Sequence, residues 1–131
     1  HTLSEIRVNG TELSFTVIWS GNFCGCSAIK EHYCLTEEEV RISAELIDPV
    51  HQKIFFAVPL FCDNGKEKSQ IVSAENGIGV VLGDNTYHVT SSGTFHIDPQ
   101  LLYNRNGTYQ TAYSSLDGIS IEVCLSVTTG K

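Results

Sequence analysis

A chain of 131 residues, 41% of them hydrophobic and 18% charged, can bury a core of its own and is too apolar to remain disordered. Eight basic against fifteen acidic side chains give a net charge of −7. Only Lys66 and Lys68 among the basic residues lie close together, which disfavours nucleic acid and anionic membranes and leaves a basic or neutral partner as the easier fit. The longest apolar run, Ile54 to Val58, falls far short of the ~20 residues that cross a bilayer, so membrane insertion is not expected. Methionine is absent, position 1 included, so His1 is expected to follow a processing site or an expression boundary.

Ser4 to Val8 and Glu12 to Trp19 flank Asn9-Gly10, a pair whose residues both tolerate positive φ, and so predict an antiparallel hairpin. In the second strand Leu13, Phe15, Val17 and Trp19 alternate with Glu12, Ser14 and Thr16, the period of a strand with one face buried, which makes Trp19 a core residue. The stretch from Ser20 to Glu39 reads as a long loop because three cysteines, Cys24, Cys26 and Cys34, interrupt the alternation. At its end Thr36 with Glu39 fits a capping box for one helical turn.

From Val40 the alternation returns through Ile42, Ala44 and Leu46 and ends at Asp48-Pro49, which predicts a strand over 39–47 and then a turn. Ile54 to Cys62 is apolar at both parities, as in a strand covered on both faces, while Pro59 predicts an edge or a bulge. Turn signals at Asn64-Gly65, Asn76-Gly77 and Gly83-Asp84 separate short strands at 69–75, 78–82 and 86–90. Across Ser91-Ser92-Gly93 the strand 86–90 is expected to pair with Phe95 and Ile97, setting His88 opposite His96. Gly107 to Tyr113 and Ile119 to Thr128 close the chain, the last with Ile119, Ile121, Val123, Leu125 and Val127 on one face.

The expected architecture is therefore all-β: one antiparallel two-sheet β-sandwich over residues 1–131, with a long cysteine-rich loop after the second strand. The pattern resembles that of many two-sheet sandwiches, among them immunoglobulin-like domains, bacterial pilins and adhesins, and immune-evasion domains. The Cys-to-Trp-to-Cys order of a true immunoglobulin domain is absent, because Trp19 precedes every cysteine.

Five cysteines, Cys24, Cys26, Cys34, Cys62 and Cys124, suit an oxidising compartment, as do the sequons at Asn9 and Asn106. Secretion or surface display is the expectation, with disulfides preferred over zinc. A single residue between Cys24 and Cys26 makes shared metal ligation awkward, and a bond between those two closes a strained ring. At least one bond is then expected to leave the loop for Cys34, Cys62 or Cys124, with one thiol left over and the connectivity open. No hydrolase elbow, zincin helix, phosphate loop or dinucleotide fingerprint occurs, so no catalytic residue, metal or cofactor is expected.

The functional expectation is a protein-binding recognition module of host-interaction or immune-modulatory type, working through loops. Phe23, Tyr33, Glu37 and Glu38 offer aromatic anchors and negative charge on the cysteine loop. Tyr103, Arg105 and Tyr109 form a second Tyr/Arg cluster of the kind interfaces favour. The alternatives are a pilin-like or adhesin-like subunit assembling by strand exchange and a small-ligand carrier.

Overall fold

The computed structural model describes residues 2–23, 25–74 and 77–129, and only the backbone of Asn22, Phe23 and Ala74. The described residues form β1 (Thr2–Asn9), β2 (Glu12–Phe23), β3 (Cys26–Leu35), β4 (Glu39–Ile47), β5 (Lys53–Asp63), β6 (Gln70–Ala74), β7 (Gly77–Leu82), β8 (Asn85–Ser91), β9 (Thr94–Ile97), β10 (Leu102–Asn104), β11 (Gly107–Asp117) and β12 (Ser120–Thr129). All pairings are antiparallel. The larger sheet runs β1-β2-β3-β4-β12-β8-β7-β6, and the smaller runs β10-β11-β5 with β9 also paired to β11.

The opening hairpin forms as its turn chemistry requires: Asn9 pairs with Glu12, and Gly10 takes φ +63°. β1 carries a bulge between Ser4 and Arg7, where Glu5 sits at φ +53°. The expected cysteine loop is instead a continuous pair of long strands. β2 continues to Phe23 and pairs along β3 from Leu13↔Leu35 to Phe23↔Cys26, with an irregularity between Ser20 and Phe23. The reason is a second alternation that the cysteines disguise. Ile29, Tyr33 and Leu35 share a face with Leu13, Phe15 and Trp19, while Lys30, His32 and Cys34 share the other. The turn after it is not helical: Thr36 Oγ1 accepts the Glu38 and Glu39 N–H groups at 3.2 Å each, and β4 begins at once.

β5 also departs from expectation. Ile54, Val58 and Leu60 are buried, but Phe55, Ala57 and Pro59 are exposed, so one face is covered rather than two. Pro59 is tolerated because β5 lies at the edge of the small sheet, where its missing N–H leaves no ladder bond unmade. The predicted hairpin over Ser91-Ser92-Gly93 does not form either. The chain crosses there from one sheet to the other, so β8 pairs with β12 and β7 while β9 pairs with β11. His88 accordingly meets Thr128, at 3.0 Å, whereas His96 lies opposite Tyr113 in the other sheet.

The core lies between the small sheet and only part of the large one. Three clusters join them: Leu60, Ala112, Ile78 and Val80; Val58, Val89 and Val123; and Ile54, Ala44 and Ile121. These clusters and their partly buried neighbours draw on β4 through β9, β11 and β12, but on no residue of β1, β2 or β3. The inner face of those three strands therefore overhangs. Trp19 is 40% exposed there rather than enclosed, and Leu3 and Val8 are more exposed still.

Buried polar groups are paired. Ser114, fully buried, shares a hydrogen bond with Ser91, which also accepts the Gly93 N–H at 2.9 Å. Thr16 Oγ1 and His32 Nδ1 lie 3.0 Å apart. Satisfying such groups avoids the desolvation cost of about 1–3 kcal/mol that each would otherwise carry.

Candidate functional site

At one end of the small sheet two polar turns close on each other and form a cleft of about 920 Å³. The first turn follows β5. Asp63 Oδ1 accepts the Gly65 N–H at 2.7 Å, and Asn64 Oδ1 accepts those of Lys66 and Glu67 at 2.9 and 2.7 Å. These side chains stand in for the backbone acceptors a tight turn lacks, which is why Asp and Asn occupy it. The second turn joins β10 to β11, where Asn104 Oδ1 accepts the Asn106 N–H at 2.7 Å.

The two turns are fitted at Gly107 and Thr108. Thr108 Oγ1 donates to the Asp63 carbonyl at 3.2 Å. A Cβ on Gly107, whose φ is +139°, would stand 2.4 Å from that same oxygen, so only glycine allows the approach. Gln110 ties in the segment before β10, donating from Nε2 to the Asp98 carbonyl at 3.3 Å and accepting from the Cys62 thiol at 3.7 Å.

The resulting cleft has unlike walls. Pro99, Leu101 and Tyr103 form an apolar one, with Tyr103 75% exposed. Asp63, Asn64 and Lys68 form a polar one, with Gln110 and Thr108 also lining the space. Among its described lining residues Asp63 supplies the carboxylate and Lys68 the ammonium. Amide groups and an exposed phenol suit holding a ligand through an apolar face and several hydroxyls. Among the described residues no three His, Cys, Asp or Glu side chains come together as a metal site requires.

Of the residues expected to contact a partner, the structure brings Tyr103 into this cleft and leaves Arg105 exposed in the turn beside it. Tyr109 packs edge-on against Phe61, with ring centroids 5.7 Å apart, and is half-buried. Tyr33 is a strand residue rather than a loop residue, stacked on Phe15 at 4.9 Å. Burial and the neighbouring Glu31 carboxylate push its phenol above the ordinary range. Glu37 and Glu38 are exposed in the turn before β4. Cys24 and the side chain of Phe23 lie outside the described residues. Asn9 and Asn106, the sequon residues, are both exposed, Asn9 at the end of β1 and Asn106 in the turn between β10 and β11.

Among the described residues none of the expected disulfides links Cys26, Cys34, Cys62 or Cys124 to one another, and any bond of Cys24 lies outside the described residues. Cys34 and Cys124 both pair in register with Arg41, one from each side, which puts them two strand spacings apart, about 9–10 Å and beyond the ~7 Å Cα separation a bridge tolerates. Cys62 lies in the other sheet, and Cys26 is buried. Cys124 donates to Glu39 Oε2 at 2.6 Å. Burial, reinforced by that carboxylate, pushes its thiol up to about 11. A thiol so held is a poor nucleophile at neutral pH. Arg41 reaches Glu39 and Glu122 at 3.1 Å each, and the Cys124 and Arg41 contacts together hold the Glu39 carboxyl below its ordinary value.

No protein-family model matches the chain, and no curated protein matches it. Among solved structures it is similar to the crystal structure of heparinase III, with a TM-score of 0.77 at 12% identity. The likeness covers 99% of this chain and 21% of that one, so the chain spans about a fifth of heparinase III. At that identity the likeness is one of fold: the strands described above are arranged as in part of heparinase III.

Proposed function

We propose that this chain is an extracellular, non-catalytic recognition module that holds an uncharged sugar chain in the end cleft. The observation that carries the reading is the pair of unlike walls: an exposed Tyr103 beside Leu101 and Pro99, facing the amide, carboxylate and ammonium groups of Asn64, Asp63 and Lys68. A pyranose ring has the matching form, with an apolar C–H face and a rim of hydroxyls that both donate and accept. The similarity to heparinase III, named as an enzyme acting on a sugar polymer, supports a glycan over a protein ligand. The net charge of −7 opposes a polyanion such as heparin itself, which leaves an uncharged chain. Support for an extracellular setting comes from the two exposed sequons.

Titration calorimetry with neutral oligosaccharides tests this. Binding is expected, with Tyr103→Ala weakening it at least tenfold, about 1.4 kcal/mol, and leaving thermal unfolding in place. Sulfated oligosaccharides are expected to bind more weakly at low salt. Absence of binding to every neutral glycan, or binding that Tyr103→Ala does not change, would refute the assignment and return attention to a protein partner.

A further inference from the structure

The outer face of the large sheet holds a slot of about 500 Å³ where β7 passes between β6 and β8. Ile78 and Val80 of β7 turn into the core, so Gly77, Gly79 and Val81 face outward, and two of these three positions carry no side chain. Gly79 pairs with Val72 on one side and with His88 on the other. Side chains stand on both neighbours and none stands between them. The two walls therefore face each other across two strand spacings, about 9–10 Å, which admits a planar ring once the walls' own atoms are allowed for.

The two glycines differ in what requires them. A Cβ on Gly77 would stand 2.8 Å from the Val89 carbonyl oxygen, so packing demands its hydrogen. A Cβ on Gly79 would meet nothing nearer than the Thr86 methyl at 3.6 Å, an ordinary contact, and the φ of Gly79 is not in the left-handed region. Glycine weakens the interior of a strand and often marks a place where a ligand approaches the backbone. Neither conformation nor packing asks for Gly79; what its missing side chain does is keep the slot open. Val72, 47% exposed, and Val81 give the slot apolar walls, and His88 and Thr90 line the opposite side. None of its described lining residues is Asp, Glu, Lys or Arg, so it suits an uncharged ligand. His88 Nε2 is held by Thr128 Oγ1 at 3.0 Å. Its Nδ1 faces the slot, 4.0 Å from where a Gly79 Cβ would stand. A planar aromatic ring with one hydroxyl matches this lining, its carbons against the valines and its hydroxyl at Nδ1. A pyranose does not, because most of its rim hydroxyls would lie unpaired against Val72 and Val81.

We propose that the slot over Gly79 binds a free, uncharged phenol of one or two rings, stacked between Val72 and His88 with its hydroxyl on His88 Nδ1. This inference is independent of the sugar-binding reading, since the slot lies on the large sheet and Tyr103 belongs to the small one. Titration of the protein with 2-naphthol, followed through amide chemical shifts, tests it. Saturable shifts are expected at residues 77–79, 88 and 90, and naphthalene, which lacks the hydroxyl, should bind at least fivefold more weakly. Gly79→Val sets two methyl groups in the slot. It should weaken 2-naphthol binding at least tenfold while the unfolding midpoint stays the same or rises, valine being a good strand former. His88→Phe keeps the wall without a ring nitrogen and should bring 2-naphthol down to the affinity of naphthalene. Shifts that fall elsewhere or do not saturate, a Gly79→Val protein that binds as well as the parent or melts lower, or a His88→Phe protein that still prefers 2-naphthol would each overturn the proposal. So would a neutral oligosaccharide that moves the same amides, and a tyrosine-bearing peptide that binds there more tightly than 2-naphthol would overturn it in favour of a protein partner.

Discussion

The sharpest consequence of the uneven sheets is that leucines on their two inner faces should differ greatly in worth. Leu60 is completely buried and packs with Ile78, Val80 and Ala112. Truncation to alanine removes three carbons, about 2.4 kcal/mol of transfer free energy at ~0.8 per methylene, and leaves a cavity that brings the total to about 3–5 kcal/mol. Against a stability of about 5–15 kcal/mol for a domain, that is about a fifth or more. With unfolding entropy near 2.1 cal/mol/K per residue, each kcal/mol moves the midpoint by about 3–4 °C, so Leu60→Ala should melt about 10–18 °C lower. Leu3, 56% exposed, loses less than half of the transfer term and leaves no cavity, so Leu3→Ala should cost about 1 kcal/mol or less. Urea unfolding of the isolated chain at micromolar concentration, with equal slopes in both variants, measures the difference. Costs within 1 kcal/mol of each other would show that something in the chain itself encloses β1, and the account of the overhang would fall.

Gly107→Ala should cost about 1–3 kcal/mol, because alanine is strained at φ +139° and its methyl group would strike the Asp63 carbonyl; chemical-shift changes should concentrate at Asp63, Asn64 and Thr108, and unchanged shifts there would refute the seam. Cys124 should react with iodoacetamide far more slowly at pH 8 than a thiol of ordinary acidity. Since its value rises from 9.0 unfolded to about 11 folded, its contribution is complete below pH 9 and lost as pH rises toward 11, a loss that urea titrations should no longer show in Cys124→Ala. Glu39 shifts the other way: its folded value is lowered, so its contribution is present above the unfolded value and lost as pH falls through the folded one. Glu39→Gln should flatten the acid limb of the stability profile, and an unchanged limb would refute the linkage.

Much of the strand pattern is legible in the residues. The Asn9-Gly10 hairpin, the strand over 39–47 and the closing strand follow from turn chemistry and period-two alternation, local properties that tertiary packing here reinforces. The cysteine stretch misleads because Cys34 and Cys26 occupy strand positions as small, weakly polar residues, and composition does not distinguish a packed thiol from a bridged one. The His88–His96 pairing fails for a different reason: a three-residue connection suits a hairpin, and only the competition for β12 and β11 sends its two arms to different sheets. The cleft is the least legible feature. Tyr103 is conspicuous as an aromatic near an arginine, but Asp63, Asn64 and Lys68 look like ordinary turn residues until the β10–β11 turn closes on them across more than thirty residues of chain.

The position of β12 bears on how the molecule is made. Of the described strands β12 is made last, yet it sits in the middle of the large sheet, between β4 and β8. Until residues 120–129 emerge, the nascent chain can hold only two separate meanders, β1 through β4 and β6 through β8, each with an unsatisfied inner edge. At a synthesis rate of ~5–20 residues per second, β4 waits about 4–16 s for the partner it meets around Arg41↔Cys124. A chain stopped just before Ser120 should therefore remain in a holdase complex or be degraded, whereas one lacking β1 at the outer edge should be released folded.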